Sequence, residues 1–208
     1  MTTTPNDRSL RLLPLGLAVV VALVLGMVWL MRETLPPLPV IHQLQAFTLT
    51  NQSGVAVRLS DLKGCVWVAN IIFTRCPGPC LQMSRRMAAL QKRWASEPGL
   101  RFVSLTTDPD YDTPDILKAY LQRVEGDAAR WHFLTGPKDE IARLAMDGLK
   151  LSAQENPPSA REKPEDLFVH STISVVIDRH GRLRASVEVL EEGSEAKLDD
   201  YIGRLLHE

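Results

Sequence analysis

The sequence carries almost no net charge: 24 lysines and arginines against 25 acids leave −1 with histidine neutral. Nothing in that balance points to nucleic acid as a partner, since nucleic-acid binders concentrate basic side chains. No internal repeat is visible, which sets aside a repeat array. Cysteine is scarce, with only Cys65, Cys76 and Cys80. An odd number leaves at least one thiol outside any internal pair. What remains is ordinary for a globular protein, 45% hydrophobic and 24% charged. The 208 residues suffice for one domain of usual size plus an appendage.

The appendage is at the N-terminus. Residues 12–31, LLPLGLAVVVALVLGMVWLM, contain no charge. A helix of about 20 apolar residues spans a bilayer core. Arg8 and Arg11 precede this segment, while Arg32 and Glu33 follow it and cancel. That asymmetry keeps the N-terminus in the cytoplasm and exports the rest. No A-x-A site follows the apolar run, which favours an uncleaved anchor over a signal peptide. Three prolines in ETLPPLPVI (33–41) then give a stiff, extended spacer. The expected organisation is a cytoplasmic N-terminus (1–11), a transmembrane anchor (12–31), a Pro-rich linker (32–42) and a folded domain (43–208). The domain is expected on the periplasmic, extracytoplasmic side of the inner membrane, where disulfides are permitted.

Within the domain, QAFTLTN (45–51) and VAVRLS (55–60) alternate around Gly54 and read as a short hairpin. CVWVANIIF (65–73) is nearly all apolar, the pattern of a strand covered on both faces. The next segment carries Met83, Met87, Leu90 and Trp94 on one helical face. LRFVSLTT (100–107) is a buried-strand pattern, 112–124 a helix with an early proline, 131–136 a strand and 137–149 a helix. Residues 151–166 read as an irregular loop. Segments 170–178 and 183–190 form a hairpin around RHG, and 194–206 is a closing amphipathic helix. Alternating β and α elements argue for a mixed sheet with helices on both faces. A thiol pair at the end of a buried strand, opening a helix, points to a thioredoxin-like architecture.

That pair lies in IIFTRCPGPCLQM (71–83). Pro79 suits the first helical position, so Cys80 falls in the first turn and Cys76 on the loop before it. The helix dipole favours a thiolate at Cys80, and Arg75 supplies a cation near Cys76. Neighbours four apart on a regular helix have Cβ atoms about 5–6 Å apart, whereas a disulfide wants roughly 3.5–4.5 Å. The C-x-x-x-C spacing therefore leaves dithiol exchange and metal binding both open. A purely structural disulfide closes too short a loop to stabilise much.

His170 is placed at the start of strand 170–178. If that strand runs antiparallel to 65–73, His170 arrives near Cys76 and Cys80. Two thiolates and an imidazole suit copper, whereas zinc prefers a fourth ligand. Asp108 follows strand 100–107, at the strand end where ligands gather, so it either faces the cysteine loop and supports an imidazole or metal there or simply fixes a turn. Asp112 or Thr113 reads as a helix cap. His42, His132, His180 and His207 are given no chemistry. Cys65 reads as a packed small residue, and Met83 and Met87 as core.

Three segments in this order, FTRCPGPC, TTDPDYDTPDILKAY and FVHSTISVVIDRHGRL, resemble the Sco/SenC family over about residues 43–205. The resemblance implies a membrane-anchored, thioredoxin-like copper protein serving assembly of the Cu(A) centre of cytochrome c oxidase. It implies Cys76, Cys80 and His170 as copper ligands and Asp108 as the supporting acid. Leu81 stands where the family usually has proline, and Val169 where an acid or threonine often precedes the histidine. The expected function is a copper chaperone whose partner is an oxidase subunit or another copper carrier. The alternative is a membrane-anchored thiol–disulfide oxidoreductase, with Cys76 and Cys80 as the redox pair, that reduces target cysteines without carrying copper. No separate motif supports a peroxidase.

Overall fold

A computed structural model describes residues 17–28, 36–76, 78–155, 157, 159 and 168–208; at 153–155 and 168–170 the description covers the backbone alone. The chain divides into two units, Met1–Pro37 and Leu38–Glu208. In the first, residues 17–28 form a helix, α1, with exposed side chains. The rest of the proposed anchor lies outside the described residues. Among the described residues no helix is long and apolar enough to cross a membrane.

The second unit is built on an eight-stranded sheet. In chain order its elements are β1 (His42–Gln43), β2 (Thr48–Asn51), β3 (Ala56–Arg58), α2 (Leu59–Leu62), β4 (Val66–Ile72) and α3 (Pro79–Arg93). Next come β5 (Leu100–Thr106), α4 (Pro114–Arg123), β6 (Trp131–Thr135) and α5 (Lys138–Ala142), which continues as a π-helical stretch, Arg143–Gly148. The chain ends with β7 (Ala153–Glu155), β8 (Phe168–His170), β9 (Ile173–Ile177), β10 (Arg182–Glu188) and α6 (Ser194–His207). The strand order is β1-β10-β9-β4-β5-β6-β2-β3, and β7 and β8 pair separately.

β4 lies at the centre, parallel to β5 and antiparallel to β9. All seven of its residues are buried, as its unbroken apolar run requires. Alternation along β4 then divides the core in two. Val66, Val68 and Ile72 face one cluster with residues of α3, α4 and α6; Trp67, Ala69 and Ile71 face another with α5 and the π-helical stretch. The mixed sheet with helices on both faces follows the sequence expectation.

Four differences matter. The segment 55–60 is strand only to Arg58, after which Leu59 and Leu62 turn inward on the short α2. The loop 151–166 contains β7, which pairs with β8 through Gln154 and Val169. The strand expected over 170–178 is broken: β8 ends at His170, and β9 starts at Ile173. Finally, the compact unit reaches back to Leu38, which is buried, while Arg184 holds its carbonyl with Nε at 3.1 Å.

Candidate functional site

The site forms where the parallel strands β4 and β5 end together, paired as far as Ile72 and Thr106. Such carboxyl ends open the crevice that ligands use in α/β sheets. After Phe73 the chain turns, and the Cys76 N–H donates to the Phe73 carbonyl at 3.2 Å. Helix α3 then begins at Pro79 with Gly78 as N-cap, and the Gln82 N–H donates to the Gly78 carbonyl at 3.2 Å. Proline at this position gives up no helical bond. Cys80 therefore sits in the first turn, as its spacing requires.

The two thiols meet. Both cysteines are buried and unbridged, and the Cys80 thiol is hydrogen-bonded to Cys76. That bond, together with burial and the charge of Cys76, pushes the Cys80 thiol far up from its ordinary value. This reverses the expectation of a Cys80 thiolate. A helix dipole stabilises an exposed anion in the first turn, but here the neighbouring sulfur and the loss of solvent outweigh it. Burial and the neighbouring sulfur together oppose a thiolate at Cys80.

Arg75 has another use than the one expected. Its Nε and Nη2 donate to Asp108 Oδ2 at 3.0 and 2.5 Å, and its guanidinium lies 4.4 Å from the centroid of the Tyr111 ring. Arg75 thus ties the cysteine loop to the loop after β5. Asp108 is buried at this junction, and its own N–H donates to Thr106 Oγ1 at 3.0 Å.

Sequence reasoning missed Asp112. Of the two residues that the sequence offers as helix cap, Asp112 and Thr113, it is Thr113 that holds the N-cap position of α4. The carboxylate of Asp112 is fully buried and accepts from Thr106 Oγ1 at 2.5 Å, from the Thr74 N–H at 3.2 Å, and from the Thr74 hydroxyl. Burial raises its carboxyl above the ordinary range, while those bonds pull it back. A second acid four residues after Asp108, in a segment already full of turn formers, was the available signal.

His170 closes β8, with its backbone paired to Ala153. Its side chain is not among those described, nor is Pro77. The expectation that the strand after the long loop runs antiparallel to β4 is met by β9, through Trp67–Ile177 and Ala69–Val175. The backbone of His170 lies three residues ahead of that strand. Among the described residues no group of three or more histidine, cysteine and acidic side chains is gathered as a metal site. Cys65 is half-buried just before β4, at the opposite end of that strand.

Chemically, two contacting thiols can close into a disulfide, exchange with another disulfide, or hold a soft cation.

The SCO1/SenC family profile matches residues 40–204. The chain belongs to the SCO1/SenC family. It is 31% identical over 147 residues to the SCO1 protein homolog of Bacillus subtilis, covering 70% of this chain and 73% of that one. BsSco, described as a member of the Sco family of cytochrome c oxidase assembly proteins with a disulfide switch, superposes with a TM-score of 0.70 at 28% identity. That match covers 83% of this chain and all of BsSco. ScoI of Bradyrhizobium japonicum, solved with copper bound, shares the fold at a TM-score of 0.64 and 24% identity, covering 77% of this chain and 99% of its own.

Proposed function

We propose that this chain is a copper chaperone for cytochrome c oxidase assembly. Cys76, Cys80 and His170 are its copper ligands, and the cargo passes to an oxidase subunit or another copper carrier. The observation that carries the reading is the buried contact between the Cys76 and Cys80 sulfurs at the end of β4. Paired soft sulfur selects Cu(I) over the harder cations. A metal that enters displaces thiol protons, so binding tightens as pH rises. Arg75, pinned to Asp108, and Asp112, pinned to Thr74, hold the cysteine loop from two sides. They set the sulfurs in place without joining the ligand set. The family's copper-bound members and its role in oxidase assembly support the same conclusion. The apolar segment 12–31 would keep the domain at the outer face of the inner membrane.

Thiol–disulfide exchange is the second reading, and one observation favours it: two reduced cysteines in hydrogen-bonding contact are poised to close a disulfide. In that reaction a thiolate of the pair attacks a target disulfide. The other cysteine then resolves the mixed disulfide, and two electrons leave the pair. His170 separates the two readings. With the full reduced chain, His170→Ala should cut copper affinity sharply while sparing disulfide exchange. If His170→Ala binds copper as wild type does, the three-ligand site is wrong.

A further inference from the structure

The buried face of α3 is a row of sulfur. Cys80, Met83 and Met87 follow one another at helical spacing, and all three are fully or almost fully buried. Sequence pattern alone assigns both methionines to the core. The contacts of the helix divide them more finely.

A helix turns about 100° per residue, so Ser84 lies to one side of Cys80, while Met83 and Met87 lie to the other. The structure shows what each side faces. The Ser84 hydroxyl is 3.2 Å from the Tyr120 hydroxyl, which marks the α4 side. The Ser174 hydroxyl lies 3.9 Å from the Met87 sulfur, which marks the β9 side. Met83 therefore also faces β9. It sits about one turn, roughly 6 Å, nearer the start of α3 than Met87. Because β9 runs antiparallel to β4, going back from Ser174 leads along the sheet toward the cysteine loop. Met83 thus occupies the flank between Cys80 and the stretch where β8 gives way to β9.

We infer that Met83 is a third sulfur donor to the Cu(I) ion held by Cys76 and Cys80. This rests on the copper reading above and adds a ligand to it. The chemistry fits the position. A thioether is soft, selects Cu(I), and has no proton to lose. It leaves the charge of a cuprous dithiolate unchanged, which matters where the site is sealed from water. Met87, whose sulfur meets Ser174 a turn deeper, stays a core residue.

The test uses the full chain, produced with selenomethionine, reduced and loaded anaerobically with Cu(I). Copper-edge X-ray absorption should show a selenium neighbour beside the thiolate sulfur shell. Met83→Leu should remove the selenium shell and lower Cu(I) affinity roughly ten- to a hundredfold, the range typical of losing a supporting contact at a metal site. Met87→Leu should keep both. A sulfur shell without selenium, or a Met83→Leu chain with wild-type Cu(I) affinity, overturns the role of Met83 and leaves the dithiol reading standing. A chain that shows no thiolate shell at all overturns both.

Discussion

The buried carboxylate of Asp112 accepts a hydrogen bond from the Thr74 N–H at 3.2 Å, two residues ahead of Cys76. Through Thr106 it also grips the end of β5, so one side chain joins both strand ends that carry the site. Asp112→Ala leaves the Thr74 N–H without its acceptor and should cost about 1–3 kcal/mol. Urea unfolding would register this as a lower midpoint at unchanged slope. An unchanged midpoint would show that the loop is held elsewhere. The negative charge of Asp112 also helps to raise the Cys80 thiol. In Asp112→Asn, thiolate absorbance should therefore show Cys80 ionising at lower pH than in wild type.

The suppressed Cys80 thiolate predicts an order of reaction. Cys80 is fully buried in the first turn of α3 with its thiol pushed up, whereas Cys76 lies on the loop before the helix and keeps a trace of exposure. The thiolate is the reactive form. Brief treatment of the native reduced chain with iodoacetamide at neutral pH should label Cys76 before Cys80, read by peptide mass spectrometry. Labelling of Cys80 first would contradict the suppression of its thiolate.

Much of this arrangement was legible in sequence, for identifiable reasons. The unbroken run 65–73 has no polar alternation, so β4 had to be covered on both faces, and it lies at the centre of the sheet. Pro79 fixes where α3 starts because its ring suits only the first turn. The parts that were missed depend on partners far away in the chain. Val169 pairs with Gln154 across the long loop, and no local pattern announces a three-residue strand. Arg75 reads as a cation beside Cys76 because the sequence places Asp108 toward the cysteine loop without saying that its partner there is Arg75. The sequence could not choose between Asp112 and Thr113 as the cap, or show that Asp112 is a buried anchor, because caps and anchors use the same residue types.

The far end of the sheet carries its own prediction. Asp178 and Arg184 are both buried, and their carboxylate–guanidinium contact is 2.8 Å. Burial would raise the Asp178 carboxyl, but bonds from the Arg182 N–H, the Arg184 and Arg182 side chains and the His180 N–H outweigh it and hold it below the ordinary carboxylate value. A depressed acid stabilises the fold above its unfolded value and loses that contribution as pH falls through its folded one. The wild-type chain should therefore lose stability below about pH 4. Asp178→Ala strands a buried guanidinium, and even with Glu208 still bonded to it the loss should be about 3–5 kcal/mol at neutral pH. The mutant's unfolding free energy should also fall less steeply between pH 4 and 3. Parallel pH curves for the two proteins would refute this assignment.

The most direct test of the copper reading is an anaerobic titration of the full, reduced chain with copper, followed by absorption and competition with a chromogenic chelator. The account expects one copper per chain, lost in Cys76→Ser and in Cys80→Ser, sharply weakened in His170→Ala, and unaffected in Cys65→Ser. Copper bound equally well without either thiol, or no copper bound by the intact dithiol, would contradict it.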